Sequence, residues 1–288
     1  MSAIAPFVPM LSLDTLWLQV AGTLCNIECS HCFISSSPRN RSHEMMSLDQ
    51  IERLLEEARD LGVRDYYFTG GEPFLHRDMI RILEMTLEQG PASVLTNGML
   101  LREELCRELR RLFDQSEYSL DLRVSLDGWD AASHDAIRGT GVWDRVMIGL
   151  GNLSAAGLNP VITVTEAAEG IAAEEGRARF LDLIRSFGFS RPRLKVLPLF
   201  RIGAEQTRTR AYESWERLDR TELSEADASV LQCSTCRMAT SKGVYVCPIL
   251  IETPEARMGA SIAETLRPFE LKHGACWTCW VDGVSCRT

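Results

Sequence analysis

Two hydrophobic patterns alternate from Leu16 to about Gly203. Short apolar runs predict strands that are buried on both faces, and stretches in which apolar residues recur every three or four positions predict amphipathic helices. The predicted strands are Leu16–Val20, Tyr66–Thr69, Ser93–Thr96, Leu120–Leu126, Pro160–Thr165 and Leu194–Leu199. The predicted helices run from Ser47 to near Gly62 and over Arg77–Glu88, Arg102–Phe113, Trp143–Ala156 and Ala173–Phe187. A capping box of Ser47 and Gln50 marks the start of the first helix.

This strict alternation predicts an α/β fold with a parallel sheet, because each parallel connection must cross over through a helix. Six strand–helix units correspond to a partial (β/α)6 TIM-like barrel, which we assign to residues 1–203. In such barrels chemistry gathers at the C-terminal ends of the strands. Residues 204–230 are polar, with interleaved arginines and acids, and we interpret them as a linker with a solvated helix. Residues 231–288 form a small cysteine-rich domain that we expect to fold around metal.

Composition narrows the classes of protein. The chain has 288 residues, of which 45% are hydrophobic, enough to bury a full core. Its formal net charge of -9 makes nucleic acid an improbable partner, so a small molecule or a peptide is expected. No segment has the apolar length of a membrane span, and the N-terminus lacks the basic start and cleavage site of a secretion signal. We therefore predict a cytoplasmic protein with no membrane partner.

Ten cysteines fall into one cluster near each end of the chain, with one between them. They are Cys25, Cys29, Cys32, Cys106, Cys233, Cys236, Cys247, Cys276, Cys279 and Cys286. Clustered cysteines in a reduced compartment most often hold metal. Cys106 lies on an amphipathic stretch and is most simply a buried helical residue.

The first cluster directly follows the first predicted strand. Three thiolates at Cys25, Cys29 and Cys32 can hold three irons of a [4Fe–4S] cluster and leave the fourth iron open to substrate or cofactor. The alternative is a zinc site, but zinc usually recruits four protein ligands in paired spacings.

This C-x3-C-x2-C spacing resembles the signature of the radical S-adenosylmethionine (SAM) superfamily, and the resemblance extends over about residues 14–200. In that superfamily a run such as Gly70-Gly71-Glu72-Pro73, at the end of the second strand, binds the amino group of SAM. The resemblance also implies polar SAM contacts by Asn97 and Asp127 at later strand ends, a ribose or carboxylate contact by Ser125, and a carboxylate clamp by Arg138.

The resemblance implies reductive cleavage of SAM by an electron from the cluster. The products would be methionine and a 5′-deoxyadenosyl radical, which abstracts hydrogen from the substrate. An electron donor such as flavodoxin or ferredoxin is implied as a partner. The resemblance assigns no catalytic acid or base.

The tail resembles the twitch domain, a shorter relative of the SPASM domain, which holds an auxiliary [4Fe–4S] cluster near the substrate. The preferred ligands are Cys233, Cys247, Cys276 and Cys279, with Cys236 and Cys286 as substitutes or extra ligands. These six thiols support one complete cluster, or two with open sites. The alternative is a zinc ribbon, because two C-x2-C pairs are a usual zinc arrangement.

We expect the enzyme to oxidise or rearrange a small molecule with help from the auxiliary cluster. Few residues precede Cys25, which mildly disfavours the leader-binding domain common among peptide modifiers. The alternative is a peptide-modifying maturase that acts on a ribosomal peptide or a protein side chain. Two other classes, a non-catalytic iron–sulfur electron carrier and a zinc-dependent binding module, would need no SAM-binding barrel.

Overall fold

A computed structural model describes residues 4–168, 170–221 and 223–283. The strands are β1 (Phe7–Val8), β2 (Thr15–Gln19), β3 (Asp65–Thr69), β4 (Ala92–Thr96), β5 (Leu120–Ser125), β6 (Val161–Thr165), β7 (Arg193–Leu197), β8 (Cys236–Thr240), β9 (Gly243–Tyr245), β10 (Arg257–Gly259) and β11 (Phe269–Glu270). The α-helices are α1 (Leu48–Asp60), α2 (Met79–Leu87), α3 (Glu103–Gln115), α4 (Ala131–Arg138), α5 (Val142–Ala155), α6 (Glu174–Ser186), α7 (Glu225–Ser229) and α8 (Gly274–Val281).

Nine strands form one sheet in the order β10-β9-β8-β2-β3-β4-β5-β6-β7. Strands β2 to β7 pair in parallel with their sequence neighbours, and helices cover their outer face. This architecture confirms the predicted α/β fold with a partial TIM-like barrel. Strands β1 and β11 form a separate antiparallel pair.

The predicted elements of the barrel match the structure closely. Each of the six predicted strands overlaps one of β2 to β7, and no predicted end differs from the observed one by more than two residues. The capping box at Ser47 forms as expected, with Ser47 accepting from the Gln50 amide. Helices α4 and α8 were not predicted, because both are short and neither has apolar residues that recur at helical spacing over several turns.

The cysteine-rich tail packs onto the barrel and extends its sheet. Strand β8 pairs in parallel with β2, so Cys236 lies opposite Thr15, and β9 and β10 continue the sheet in antiparallel fashion. One buried hydrophobic cluster joins Trp17 and Tyr67 of the barrel to tail residues such as Met238. The tail therefore shares a core with the barrel. The domain limits at residues 203 and 230 stay a prediction.

The segment 204–230, which we expected to be a solvated linker, buries part of its polar side chains. Its one α-helix in the described residues is the short α7, and it buries the carboxylates of Glu205 and Glu216. Glu216 forms ion pairs with Arg201 and Arg210, so its charge is compensated where it is buried. The Tyr212 hydroxyl lies 2.7 Å from Thr278 Oγ1 on α8. The segment thus contacts and supports the tail helix.

No helix in the described ranges is long and apolar enough to cross a membrane.

Candidate active site

The first three cysteines lie on the loop between β2 and α1, at the edge of the sheet where the parallel strands β2 to β7 end. The loop is held to itself by a bond from the Cys25 amide to Ser37 O (3.1 Å) and by one from the Ser36 amide to Cys32 Sγ (3.3 Å). The three thiols are close enough to influence one another electrostatically. Burial raises the pKa of Cys25 to about 11 and that of Cys29 to about 12. Ligation must therefore remove protons that the buried thiols otherwise keep.

Gly71 allows the end of β3 to approach this loop. A Cβ atom at Gly71 would lie 2.1 Å from the Leu24 carbonyl oxygen and 2.7 Å from the Cys25 amide nitrogen. The Gly71 amide donates to Gly22 O at 2.8 Å, and the Glu72 amide donates to Leu24 O at 3.0 Å. Only glycine fits this contact, so the Gly-Gly-Glu-Pro run supports the cysteine loop directly. Pro73 begins a short 3-10 turn after it.

The Glu72 carboxylate joins this run to the end of β4. It is fully buried and accepts from the Thr96 hydroxyl (2.8 Å), the Asn97 amide (2.7 Å) and the Phe74 amide (3.1 Å). Burial raises the pKa of Glu72 to about 7, although these three donors oppose the rise. The resemblance to the radical SAM superfamily implies a SAM contact for Glu72, which stays a prediction; in the structure the Glu72 carboxylate holds the Asn97 amide.

Asn97 in turn reaches the cysteine loop. Its side-chain amide donates to Asn26 Oδ1 at 2.7 Å and lies 3.6 Å from Cys25 Sγ. Cys25 is therefore connected through Asn97 to Glu72, in a chain of buried polar contacts that crosses three strand ends. Such partners fix ligand orientation and tune the electronic properties of a metal centre.

Asp127, after the end of β5, binds two basic side chains from separate segments. Its Oδ2 lies 2.6 Å from Arg138 Nε and 2.9 Å from His31 Nε2, and its Oδ1 accepts from the Thr165 amide at 2.8 Å. Burial alone would raise the pKa of Asp127, but Arg138 and His31 outweigh that effect and hold it well below its usual range.

This arrangement adds one residue to the site and shows a protein contact of a predicted one. His31 was not among the predicted site residues; its position between Cys29 and Cys32 was the available signal. Arg138, expected to clamp the SAM carboxylate, directs its Nε to Asp127 and also lowers the pKa of Cys29 against the larger effect of burial. The hydrogen bond found for Arg138 in the described ranges uses Nε, so its Nη atoms are the ones available to a ligand.

The interior of the barrel is polar near this site. Ser125, Thr163 and Lys195 are register partners on β5, β6 and β7, so their side chains share one face of the sheet. Gln19, at the end of β2, is fully buried, and neither its side-chain oxygen nor its nitrogen has a partner among the described atoms. Thr163 Oγ1 is buried without a partner there too. Buried polar groups of this kind normally bond to water or a ligand.

Five of the six tail cysteines line one apolar cavity. About 540 Å³ of empty space, part of it open to solvent, is bordered by Cys233, Cys236, Cys247, Cys276 and Cys279. They come from a 3-10 turn, from β8, from the loop after β9 and from α8. Burial raises the pKa values of Cys233, Cys247 and Cys276, the last to about 12. Cys286 lies outside the described residues.

The donors that border the cavity are of the kind that ligates an iron–sulfur cluster. A [4Fe–4S] cluster is ligated by thiolates and is itself bulky, so its ligands surround a cavity rather than converge on one point. The preferred set of Cys233, Cys247, Cys276 and Cys279 meets both conditions. Cys236 borders the same cavity, but its backbone belongs to the β8 ladder beside β2.

Known proteins match the barrel half of the chain most strongly. A family model for the radical SAM superfamily matches residues 20–167. The AdoMet-dependent heme synthase of Nitratidesulfovibrio vulgaris is 30% identical over 149 residues, which cover 51% of this chain and 39% of that protein. AlbA of Bacillus subtilis, an antilisterial bacteriocin subtilosin biosynthesis protein, is 34% identical over 116 residues, or 40% of this chain and 25% of AlbA. The matches thus span less than half of each relative.

The fold likeness extends into the tail. Streptococcus suis SuiB, solved with its precursor peptide SuiA, matches with a TM-score of 0.68 and 17% identity, over 89% of this chain and 65% of SuiB. At this identity the match shows a shared fold.

Proposed function

Because the chain belongs to the radical SAM superfamily, whose members use SAM and a [4Fe–4S] cluster, we propose that Cys25, Cys29 and Cys32 hold that cluster and that the enzyme cleaves SAM reductively. The observation that carries the proposal is the set of three mutually interacting thiols, of which Cys25 is buried and Cys29 and Cys32 are partly exposed, beside the Gly71 contact and the Glu72–Asn97 connection. When bound, the cluster supplies the electron that splits SAM into methionine and a 5′-deoxyadenosyl radical, which abstracts hydrogen from the substrate.

The chain's own residues bind, orient and enclose SAM in this proposal. The backbone of Gly70, Gly71 and Glu72 offers carbonyls to the SAM ammonium, and Pro73 holds the following turn. The Nη atoms of Arg138 suit the SAM carboxylate, since Asp127 already holds its Nε. Ser125 and Asn97 complete the polar lining at the strand ends.

The test is a comparison of the wild type with a variant in which Cys25, Cys29 and Cys32 are all alanine. After anaerobic reconstitution and dithionite reduction with SAM, we expect the wild type to form 5′-deoxyadenosine and the triple variant to form none. Cys106→Ala is the matched control, because Cys106 is buried on α3 and should leave the reaction intact. Product from the triple variant would refute the assignment.

We further propose that the tail cavity holds an auxiliary [4Fe–4S] cluster on Cys233, Cys247, Cys276 and Cys279. Support comes from the apolar cavity that these side chains border and from their separate positions around it. Metal analysis separates this from the zinc alternative. About eight irons per chain without zinc is the expected result, whereas about four irons with one zinc would favour a zinc ribbon.

For the substrate we propose a polar small molecule that the auxiliary cluster helps to oxidise or rearrange. Gln19 and Thr163, whose buried side-chain atoms have no partner among the described residues, give the barrel interior hydrogen-bonding groups suited to a polar ligand. Deuterated candidates of this class should transfer deuterium to 5′-deoxyadenosine. Gln19→Leu should weaken that transfer while SAM binding, measured by calorimetry, is retained.

The second candidate is modification of a peptide. AlbA is by name a bacteriocin biosynthesis protein, and SuiB was solved with a precursor peptide. Deuterium transfer from a labelled peptide, together with a mass change in that peptide, would favour this candidate over the small molecule.

A further inference from the structure

A fully buried arginine lies beside the tail cysteines. Arg237 follows Cys236 on β8 and is 1% exposed, which places it among the largest side chains that the fold buries. Burying a guanidinium is costly unless opposite charge and hydrogen bonds compensate. The surroundings of Arg237 therefore indicate which negative charge it compensates.

The hydrogen bonds of Arg237 in the described part of the chain end on backbone carbonyls. Nη1 donates to Cys233 O (2.7 Å) and Cys236 O (2.6 Å), Nε donates to Thr265 O (3.0 Å), and Nη2 donates to Arg267 O (3.0 Å). Nη1 thus ties together two residues that border the tail cavity. Carbonyls are neutral, so these bonds hold the Cys233 turn without balancing the positive charge.

The opposite charge available to Arg237 comes from thiols. Its strongest favourable electrostatic partners are Cys236, Cys233 and Cys247, whereas Arg267 repels it. It forms no ion pair with a carboxylate within the described ranges. Thiols are neutral until they lose a proton, and metal binding removes it. Arg237 therefore places a positive charge beside the cysteines of the tail cavity, with no carboxylate partner in the described part of the chain.

The arginine at the other cysteine cluster differs in this respect. Arg138 is also buried, but Asp127 lies 2.6 Å from its Nε and balances it whether or not metal is bound. Arg237, by contrast, has no carboxylate partner in the described part of the chain, and its hydrogen bonds end on carbonyls.

We propose that Arg237 is a positioning residue for the auxiliary cluster: its positive charge, which no carboxylate balances in the described part of the chain, raises the reduction potential of that cluster, and its carbonyl bonds hold the turn of Cys233. This inference rests on the proposed function. A nearby positive charge favours the more negative, reduced state of a cluster, and its effect is strong where burial excludes water. Arg237 thereby makes the tail site a better electron acceptor.

The experiment uses the full chain with Cys25, Cys29 and Cys32 replaced by alanine, so that only the tail cluster contributes to the spectra. The reduction potential is measured by potentiometry with electron paramagnetic resonance, for this background and for Arg237→Gln, Arg237→Lys and Arg257→Gln within it. We expect Arg237→Gln to make one-electron reduction at least tenfold less favourable, which is about 59 mV. Arg257 is exposed and bonds to Lys242 O, so its variant is the matched control and should leave the potential unchanged.

Arg237→Lys separates charge from geometry, because it keeps the charge and loses the planar group that bonds four carbonyls. It should lose iron faster than the background protein but change the potential less than tenfold. If Arg237→Gln does not retain iron, Arg237→Lys decides the question. One-electron reduction that is at least tenfold less favourable in Arg237→Lys than in the background overturns the inference. An unchanged potential in Arg237→Gln also overturns it, even with lower stability, because a purely structural role would then suffice. A background protein without any iron–sulfur signal would instead refute the auxiliary cluster itself.

Discussion

Replacing Asp127 by asparagine tests the charge arrangement of the barrel site. The side chain keeps its shape and Oδ1 can still accept from the Thr165 amide, but Arg138 and His31 lose their anionic partner. Because Asp127 is buried and Arg138 nearly so, the guanidinium is left uncompensated in a site of low dielectric.

The expected loss in the free energy of unfolding is about 3–5 kcal/mol, as for a broken buried ion pair. For a chain of this size that corresponds to roughly 10 °C in Tm. The matched control is Asp121→Asn on β5, the strand that leads to Asp127; Asp121 pairs with Arg193 at 2.6 Å, but both side chains are partly exposed. Its expected cost is below about 1 kcal/mol.

Urea unfolding of the metal-free protein, followed by circular dichroism, measures both variants. The pKa of Asp127 is depressed in the folded state, so its stabilisation is present above the ordinary value near 4 and is lost as the pH falls. The difference between wild type and Asp127→Asn should therefore shrink in acid. Equal losses in Asp127→Asn and Asp121→Asn at neutral pH would refute the reasoning.

Two further changes act on neighbouring parts of the same site. Gly71→Ala places a Cβ against Leu24 O and should displace the cysteine loop, with loss of iron at that cluster. The control, Gly151→Ala on α5, meets no atom within 4 Å and should stabilise the protein by about 0.5–1 kcal/mol. Iron analysis and Tm distinguish the two variants, and normal iron uptake by Gly71→Ala would contradict the contact. The pKa of Glu72 is raised to about 7, so wild type should lose stability relative to Glu72→Gln as the pH rises from about 4.5 to about 7. In urea unfolding, the free energy of unfolding of wild type minus that of Glu72→Gln should decline across this range, the opposite of the trend for Asp127. A difference that rises with pH would contradict the assignment.

The barrel was predictable because its signals are local. The β2 and β3 strands follow from short apolar runs, and α1 follows from the Ser47 capping box. Helix α8 could not be predicted in this way, because its eight residues include cysteines and tryptophans on several faces.

The polar contacts of the site depend on distant segments and could not be derived from spacing. The bond between Asp127 and Arg138 requires the loop before α4 to bring them together, and the bond from Asn97 to Asn26 joins two strand ends. In the tail, the cysteine pattern indicated metal ligation, but only the fold shows that β8 pairs with β2 and places Cys236 beside the preferred ligands.

The shared core predicts that the tail and the barrel unfold together. Met238 on β8 packs in the same hydrophobic cluster as Trp17 on β2, and the rings of Trp17 and Tyr67 stack with centroids 4.5 Å apart. Strand β2 leads directly into the loop of Cys25. Loss of order in the tail must therefore expose one side of the barrel interior.

Removing the tail ligands tests this coupling. The variant Cys276→Ala/Cys279→Ala should lower the temperature of a single calorimetric transition, because metal binding to the folded state contributes to folding free energy. Cys106→Ala is the control, since it removes a buried thiol of α3 that borders neither cluster; it should lower Tm without changing the stabilisation that iron provides. Two separate transitions, with only one of them sensitive to the tail variant, would show that the hydrophobic cluster does not couple the two parts.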